Sequence, residues 1–193
     1  MGRDKATVIF KGRPLIAYVY DLIKDIFPNV FVLSSQHIAF KGVNAPIVKD
    51  FVPIKGSMVG IASALLAATT DYVFVVGCDM PFIRKDTIRY MVEQAHGEDI
   101  IVPWTKAGFE PLHALYNRSC LPHMLRAIDR DQLKISALFP TLSVRVVSEP
   151  SGPSALSGPS GPSGPSLFVN KGVSIFTNIN TEEDLAFAES RIG

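Results

Sequence analysis

The sequence predicts an α/β fold with a predominantly parallel central sheet and helices on both of its faces. Short β-branched runs alternate with helix-period segments along the chain, the pattern of strands separated by crossover helices. The runs read as strands buried on both sides, as covered parallel sheets require. The length of 193 residues, 47% of them hydrophobic, suits one domain over residues 1–193 with a substantial core.

Pro14 opens the first helix, because its fixed φ and missing N–H suit a first turn; Leu15, Val19, Leu22, Ile23 and Ile26 then recur at helical spacing until Pro28 stops it. Residues 30–33 and 46–48 follow as strands. Ser57 is the expected cap of an Ala-rich helix over 57–69. The strand 72–76 comes next, then a helix over 87–95 with Asp86 as cap and Gly97 as stop. Further strands are expected at 99–102, 113–116 and 144–148, with a helix over 120–130. Thr181 caps a final helix through Ile192, whose first turn holds Glu182, Glu183 and Asp184, where the helix dipole favours anions.

Nineteen basic and eighteen acidic side chains leave a net charge of +1. That balance removes the electrostatic case for nucleic-acid binding, which needs a clustered basic excess. The most apolar helical stretch, 58–68, is far shorter than the ~20 residues a membrane span needs, and the N-terminus lacks the apolar run of a secretory signal. Cys78 and Cys120 form neither a disulfide framework nor a zinc pair. The expectation is a cytoplasmic protein in a reducing compartment, monomeric by default. Residues 151–166 (SGPSALSGPSGPSGPS) cannot bury enough apolar surface to order themselves and read as a flexible linker or inserted loop.

Asp79 follows the apolar run 72–76. Ligands of open α/β sheets collect beyond the carboxyl ends of strands, so Asp79 is a candidate metal or ligand carboxylate; as an organiser of the turn before Pro81 it is explained equally well. Asp50 ends another strand, and as a plain turn residue it needs no ligand. Gly56 and Ser57 bring a loop to a helix N-terminus, where free amides accept phosphate or base oxygens, though a flexible cap accounts for both. Glu110 and His113 flank an apolar strand, with a core role open for the histidine. Asn178 and Asn180, two apart in an extended segment, present amides on one face that can read a heterocycle; turn formation and capping compete. Lys5 alone is a solvated charge near a chain end.

In this order, MGRDK at 1–5, GRPLI at 12–16, Asp50, 56–61, GCDMPF at 77–82, 110–116 and NINTEEDL at 178–185 resemble the molybdenum cofactor guanylyltransferase family. The resemblance implies a Rossmann-like nucleotidyltransferase fold. It also implies transfer of GMP from GTP to the terminal phosphate of molybdopterin carrying molybdenum, with release of diphosphate. It matches Lys5 and Asp79 to catalytic positions, Lys5, Asp50, Gly56 and Asp79 to nucleotide binding, and Asp79 to Mg²⁺. Glu110, His113, Asn178 and Asn180 match the side assigned to the pterin. By pathway logic, the expected partners are the enzyme that inserts molybdenum and the apoenzymes or chaperones that receive the product.

The family pattern begins with a strand and a Gly-rich loop, and this chain opens at that loop's last Met-Gly. The expectation is that further residues precede Met1 in the native protein. Ser57 and Glu182 each stand where the family usually has proline. Other readings are a cytidylyltransferase acting on molybdopterin, a sugar-phosphate nucleotidyltransferase, or a non-catalytic nucleotide or pterin carrier.

Overall fold

The computed structural model describes residues 7–34, 39–149 and 166–192. Lys5 and residues 151–165 of the Ser/Gly/Pro stretch lie outside them. In chain order the elements are β1 (Ile9–Phe10), β2 (Arg13–Pro14), α1 (Leu15–Ile23), β3 (Val32–Leu33), β4 (Ile47–Val48), α2 (Ser57–Ala67), β5 (Tyr72–Val76), α3 (Lys85–Glu93), β6 (Ile100–Thr105), β7 (Gly108–Phe109), β8 (His113–Asn117), α4 (Leu121–Asp129), β9 (Val144–Ser148), β10 (Val169–Asn170), β11 (Val173–Ser174) and α5 (Glu182–Arg191). Short 3₁₀ turns cover Arg118–Cys120 and Ile135–Thr141.

The main sheet is mixed, which corrects the expectation of predominantly parallel pairing. β8 lies antiparallel between β5 and β6, β7 pairs β6 antiparallel, and β9 pairs β6 in parallel. The reason is the tight return from β6 through β7, which reverses the chain before it enters the gap beside β5. β5, β6 and β9 therefore point one way and β8 the other. Parallel pairing also joins β3 to β4.

Alternation along these strands builds a core on each face. Val73, Val75, Ile100, Val102, Ala114 and Tyr116 turn toward α2 and α4, where Met58, Ile61, Leu65 and Met124 are fully buried. Phe74, Ile101 and Leu115 turn toward the opposite layer, which contains Met91 of α3, Phe168 and Phe176. The small side chains of α2 let that helix lie close to the sheet, with Ala62 and Ala64 buried. Polar ties secure the far end: the Asp99 carboxylate accepts from the Ser143 N–H at 2.8 Å, and Arg145 pairs with Glu98, drawing the Glu98 carboxyl down to about 2.

β5 departs from this burial. All five of its residues are only partly buried, because its edge away from β8 faces a cavity of about 810 Å³ that separates it from β3.

Two expected caps are absent. α2 and α3 start at Ser57 and Lys85 after Gly56 and Arg84, and neither has a capping side chain. Ser57 and Asp86 thus lie inside first turns, where Asp86 instead pairs with Arg84. Thr181 does cap α5: its Oγ1 accepts from the Asp184 N–H at 3.0 Å. The Asp184 carboxylate in turn accepts from the Thr181 N–H at 2.8 Å. This is a complete capping box. Thr181→Ala is expected to lower stability by about 1 kcal/mol and Thr181→Ser by much less, read as a shift of the urea midpoint at constant slope.

Candidate active site

The site is built where β5 stops. Pairing with β8 ends as the Gly77 N–H donates to the Leu112 carbonyl at 3.0 Å, and the chain turns to carry Asp79 over the sheet edge. A Cβ on Gly77 would lie 2.8 Å from Asp79 Oδ1, closer than such contacts are found. The missing side chain is therefore what lets the carboxylate fold back over the strand end. Sequence inspection assigned Gly77 no role; its signal was a glycine two positions before an acid at the end of an apolar strand.

Because β8 runs opposite to β5, its first residue, His113, pairs with the last residue of β5, Val76. That register brings 110–113 to the same sheet edge as Asp79. The His113 N–H donates to the Glu110 carbonyl at 3.0 Å. Burial raises the Glu110 carboxyl, and a hydrogen bond from the Thr105 hydroxyl partly offsets the rise.

His113 itself is fully buried. Its ring meets Phe74 and Phe176 edge-on, with centroids 5.1 and 5.3 Å away. Neither ring nitrogen has a hydrogen-bond partner among the described residues. Loss of hydration pushes its pKa down to about 3, so the ring is neutral and backs the site from within the core.

The 178–180 segment docks directly on the Asp79 turn: the Ile179 N–H donates to the Asp79 carbonyl at 2.9 Å. Ile179 is buried with Phe10, Phe82 and Ala188. Asn178 and Asn180 flank it in the chain. Asn180 is exposed, and Asn178 keeps a buried Oδ1 without a hydrogen-bond partner among the described residues.

Asp50 stands just beyond the carboxyl end of β4. Ser63 of α2 positions it: the Ser63 hydroxyl donates to the Val59 carbonyl at 2.8 Å and accepts from the Phe51 N–H at 3.1 Å, with Asp50 Oδ1 at 3.4 Å. A polar residue on the buried, otherwise apolar face of α2 was the signal for Ser63. Gly56 precedes α2, whose opening amides have no side-chain cap. The structure thus brings Asp79, His113 and the 178–180 segment to the end of β5, sets Glu110 against Pro103 and Thr105 of β6, and holds Asp50 beside Ser63 of α2, while Gly56 at the start of that helix faces Leu133. Lys5 lies outside the described residues.

Residues 1–146 match the family model described as MobA-like NTP transferase domain. The chain belongs to that family. It is similar to the molybdenum cofactor guanylyltransferase of Desulfosudis oleivorans, 31% identical over 99% of this chain and 88% of the relative. It is also similar to the probable molybdenum cofactor guanylyltransferase of Natranaerobius thermophilus, 27% identical over 100% of this chain and 90% of the relative. Among solved structures, molybdopterin-guanine dinucleotide biosynthesis protein A from Archaeoglobus fulgidus superposes with a TM-score of 0.73 at 25% identity, covering 98% of this chain and 90% of that one. The 2-C-methyl-D-erythritol 4-phosphate cytidylyltransferase of Thermus thermophilus, at 17% identity and a TM-score of 0.65 over 96% of this chain and 92% of that one, shares the fold.

The MobA-like chain is accordingly a nucleotidyltransferase of molybdenum cofactor biosynthesis. Among its described residues no three His, Cys, Asp or Glu side chains cluster. No helix among the described residues is long and apolar enough to cross a membrane.

Two expectations follow. Gly77→Ala should fold with little loss of stability, since the crowded atom is the end of a movable side chain. Diphosphate release should fall about ten- to a hundred-fold as the Asp79 carboxylate is displaced. His113 is neutral in the fold down to about pH 3 but protonates near pH 6.5 in the unfolded chain. Acid therefore favours unfolding. Its contribution is intact above pH 6.5 and declines as pH falls toward 3, by up to about 1.4 kcal/mol per pH unit. Denaturant titrations of wild type and His113→Phe between pH 4 and 7 should show the variant losing that part of the slope.

Proposed function

We propose that this chain transfers GMP from GTP to the terminal phosphate of molybdenum-loaded molybdopterin, forming the guanine dinucleotide cofactor and diphosphate. The observation that carries this reading is the 2.9 Å hydrogen bond from the Ile179 N–H to the Asp79 carbonyl. It joins the proposed phosphate-side carboxylate to the amide face proposed to read the pterin. The names of the full-length relatives support the same substrates.

The acceptor phosphate oxygen attacks the α-phosphorus of GTP, and the bond from that phosphorus to the bridging oxygen of the β-phosphate breaks. An anion must approach an anion, so catalysis is mainly positioning and neutralisation of charge. No protein nucleophile is required. Asp79 is the residue proposed to hold Mg²⁺, which when bound polarises the α-phosphate. Asp50 and the α2 amides after Gly56 take the nucleotide side. Lys5 is assigned to offset charge on the departing diphosphate. Asn178 and Asn180 donate to and accept from the pterin ring. Glu110 borders the same edge, and the His113 ring fixes the strand behind it.

Asp79→Asn should reduce Mg²⁺-dependent diphosphate release from GTP at least a hundred-fold while the circular dichroism spectrum is retained; near-normal turnover would remove Asp79 from the site. With wild-type protein and the same pterin acceptor, GTP should be used well above CTP. Equal or better use of CTP would turn the assignment to a cytidylyltransferase.

A further inference from the structure

Glu110 is an acid that the fold leaves without a counter-charge. The residue is half-buried, and loss of hydration raises its carboxyl. Arg13, Lys24, Arg84, Lys85 and Arg145 each pair with another acid, and no cation among the described residues pairs with Glu110. Its carboxylate has one hydrogen bond among those residues, from the Thr105 hydroxyl at 3.4 Å from Oε1. That hydroxyl lies closer to the Gly108 carbonyl, at 3.2 Å, and has a single proton to give. The carboxylate is thus held in place with most of its accepting capacity unused.

Strand alternation shows which side of the sheet this acid faces. Within β6, Thr105 follows Ile101 by four residues and shares its face, and Ile101 packs with Leu115 and Phe176. His113 alternates with Leu115 in β8, and its ring meets that of Phe176. Glu110, beside Thr105, therefore lies on the Phe176 face. β6 is two strands from β5, or about 10 Å by ladder spacing, and the segment that follows Phe176 is bonded at the end of β5 through Ile179. The helix α2, proposed above to serve the nucleotide, packs on the opposite face.

We propose that Glu110 is the receptor for the 2-amino-4-oxopyrimidine edge of the pterin substrate, its two carboxylate oxygens accepting from the ring N–H and the 2-amino group. The inference rests on the pterin reading of this side given above and names the contact that orients the ring. That edge carries two adjacent N–H donors in a fork, the arrangement by which a guanidinium meets a carboxylate. An anion already stripped of part of its water gains from such a pair what solvent no longer supplies. An amide side chain cannot do the same, because it has one acceptor oxygen. With that edge on Glu110, the other end of the fused ring system extends toward the asparagine segment at the end of β5. Guanine carries the same edge, and the sheet separates the two ligands, since Glu110 faces away from the helix proposed to hold GTP.

The first test needs no turnover. The wild-type chain is titrated into 6-hydroxymethylpterin, followed by pterin fluorescence, and into 6-hydroxymethyllumazine, which has a 2-oxo group in place of the 2-amino group. The pterin should bind at least about ten-fold more tightly. In Glu110→Gln the side-chain amide both donates and accepts, so pterin binding should fall about ten-fold and the preference over lumazine should vanish. With molybdenum-loaded molybdopterin as acceptor, the same substitution should raise its KM about ten-fold and leave the KM for GTP within about two-fold. Failure of the wild type to prefer pterin over lumazine would overturn the proposal. So would equal weakening of both ligands in Glu110→Gln, or a rise in the KM for GTP alone, which would put guanine on this acid. A pterin preference without GMP transfer would defeat the proposed reaction and leave Glu110 assigned, and GMP transfer without the preference would do the reverse.

Discussion

Everything at the candidate site depends on where β5 stops pairing with β8. The Gly77 N–H takes the last bond of that ladder, to Leu112, and the residues beyond it are released together at the sheet edge. A one-residue slip would exchange the two faces of β5, sending Val73 and Val75 away from α2 and α4 and Phe74 away from His113. Burial on both faces therefore fixes the register, and the register fixes the height of Asp79 above the sheet. The carboxylate proposed to act in the site is placed by hydrophobic packing some distance behind it.

The same ladder explains why a neutral, unbonded histidine is tolerated in the core. Opposite Val76, His113 has its backbone committed to β8 and its ring enclosed by Phe74 and Phe176. An apolar ring of that size would fill the space without the cost of burying two unpaired nitrogens. The polar ring therefore marks a position where packing alone does not choose the residue, and it lies directly behind the edge to which Asp79 and the 178–180 segment are bound.

Legibility in the sequence followed how local each determinant is. Residues 72–76 and 144–148 were readable to the residue, since β-branched or aromatic side chains fill the first run and valines make up most of the second. Thr181 was readable as a cap because Asp184, three positions on, completes a reciprocal pair within one turn. Ser57 and Asp86 carry the right side chains for capping, but each helix begins one residue before or at them, and nothing in a short polar side chain reports that offset. The direction of β8 was illegible for a different reason: an apolar run states that a strand forms, while its sense depends on how β6 and β7 return the chain. The sheet was accordingly expected to be parallel and is mixed. Asp79, Glu110 and the asparagines could be singled out as candidates because each lies beside an element end; Ser63, which steadies Asp50 from the middle of α2, has no such mark.

The two halves of the site are held by different means, and that difference bears on how they come together. Asp79 and the asparagine segment are locked by a backbone hydrogen bond and by Ile179, buried beside Phe10 and Phe82. Asp50 is held from α2 through Ser63, on the β3 and β4 side of the cavity. The main sheet and the β3–β4 pair share α2 as their bridge, and α2 contacts both β4 and β5. In-line transfer between phosphates tolerates displacements of well under about 1 Å in the reacting groups, so the packing of α2 against β4 on one side and β5 on the other sets how the two proposed halves face one another.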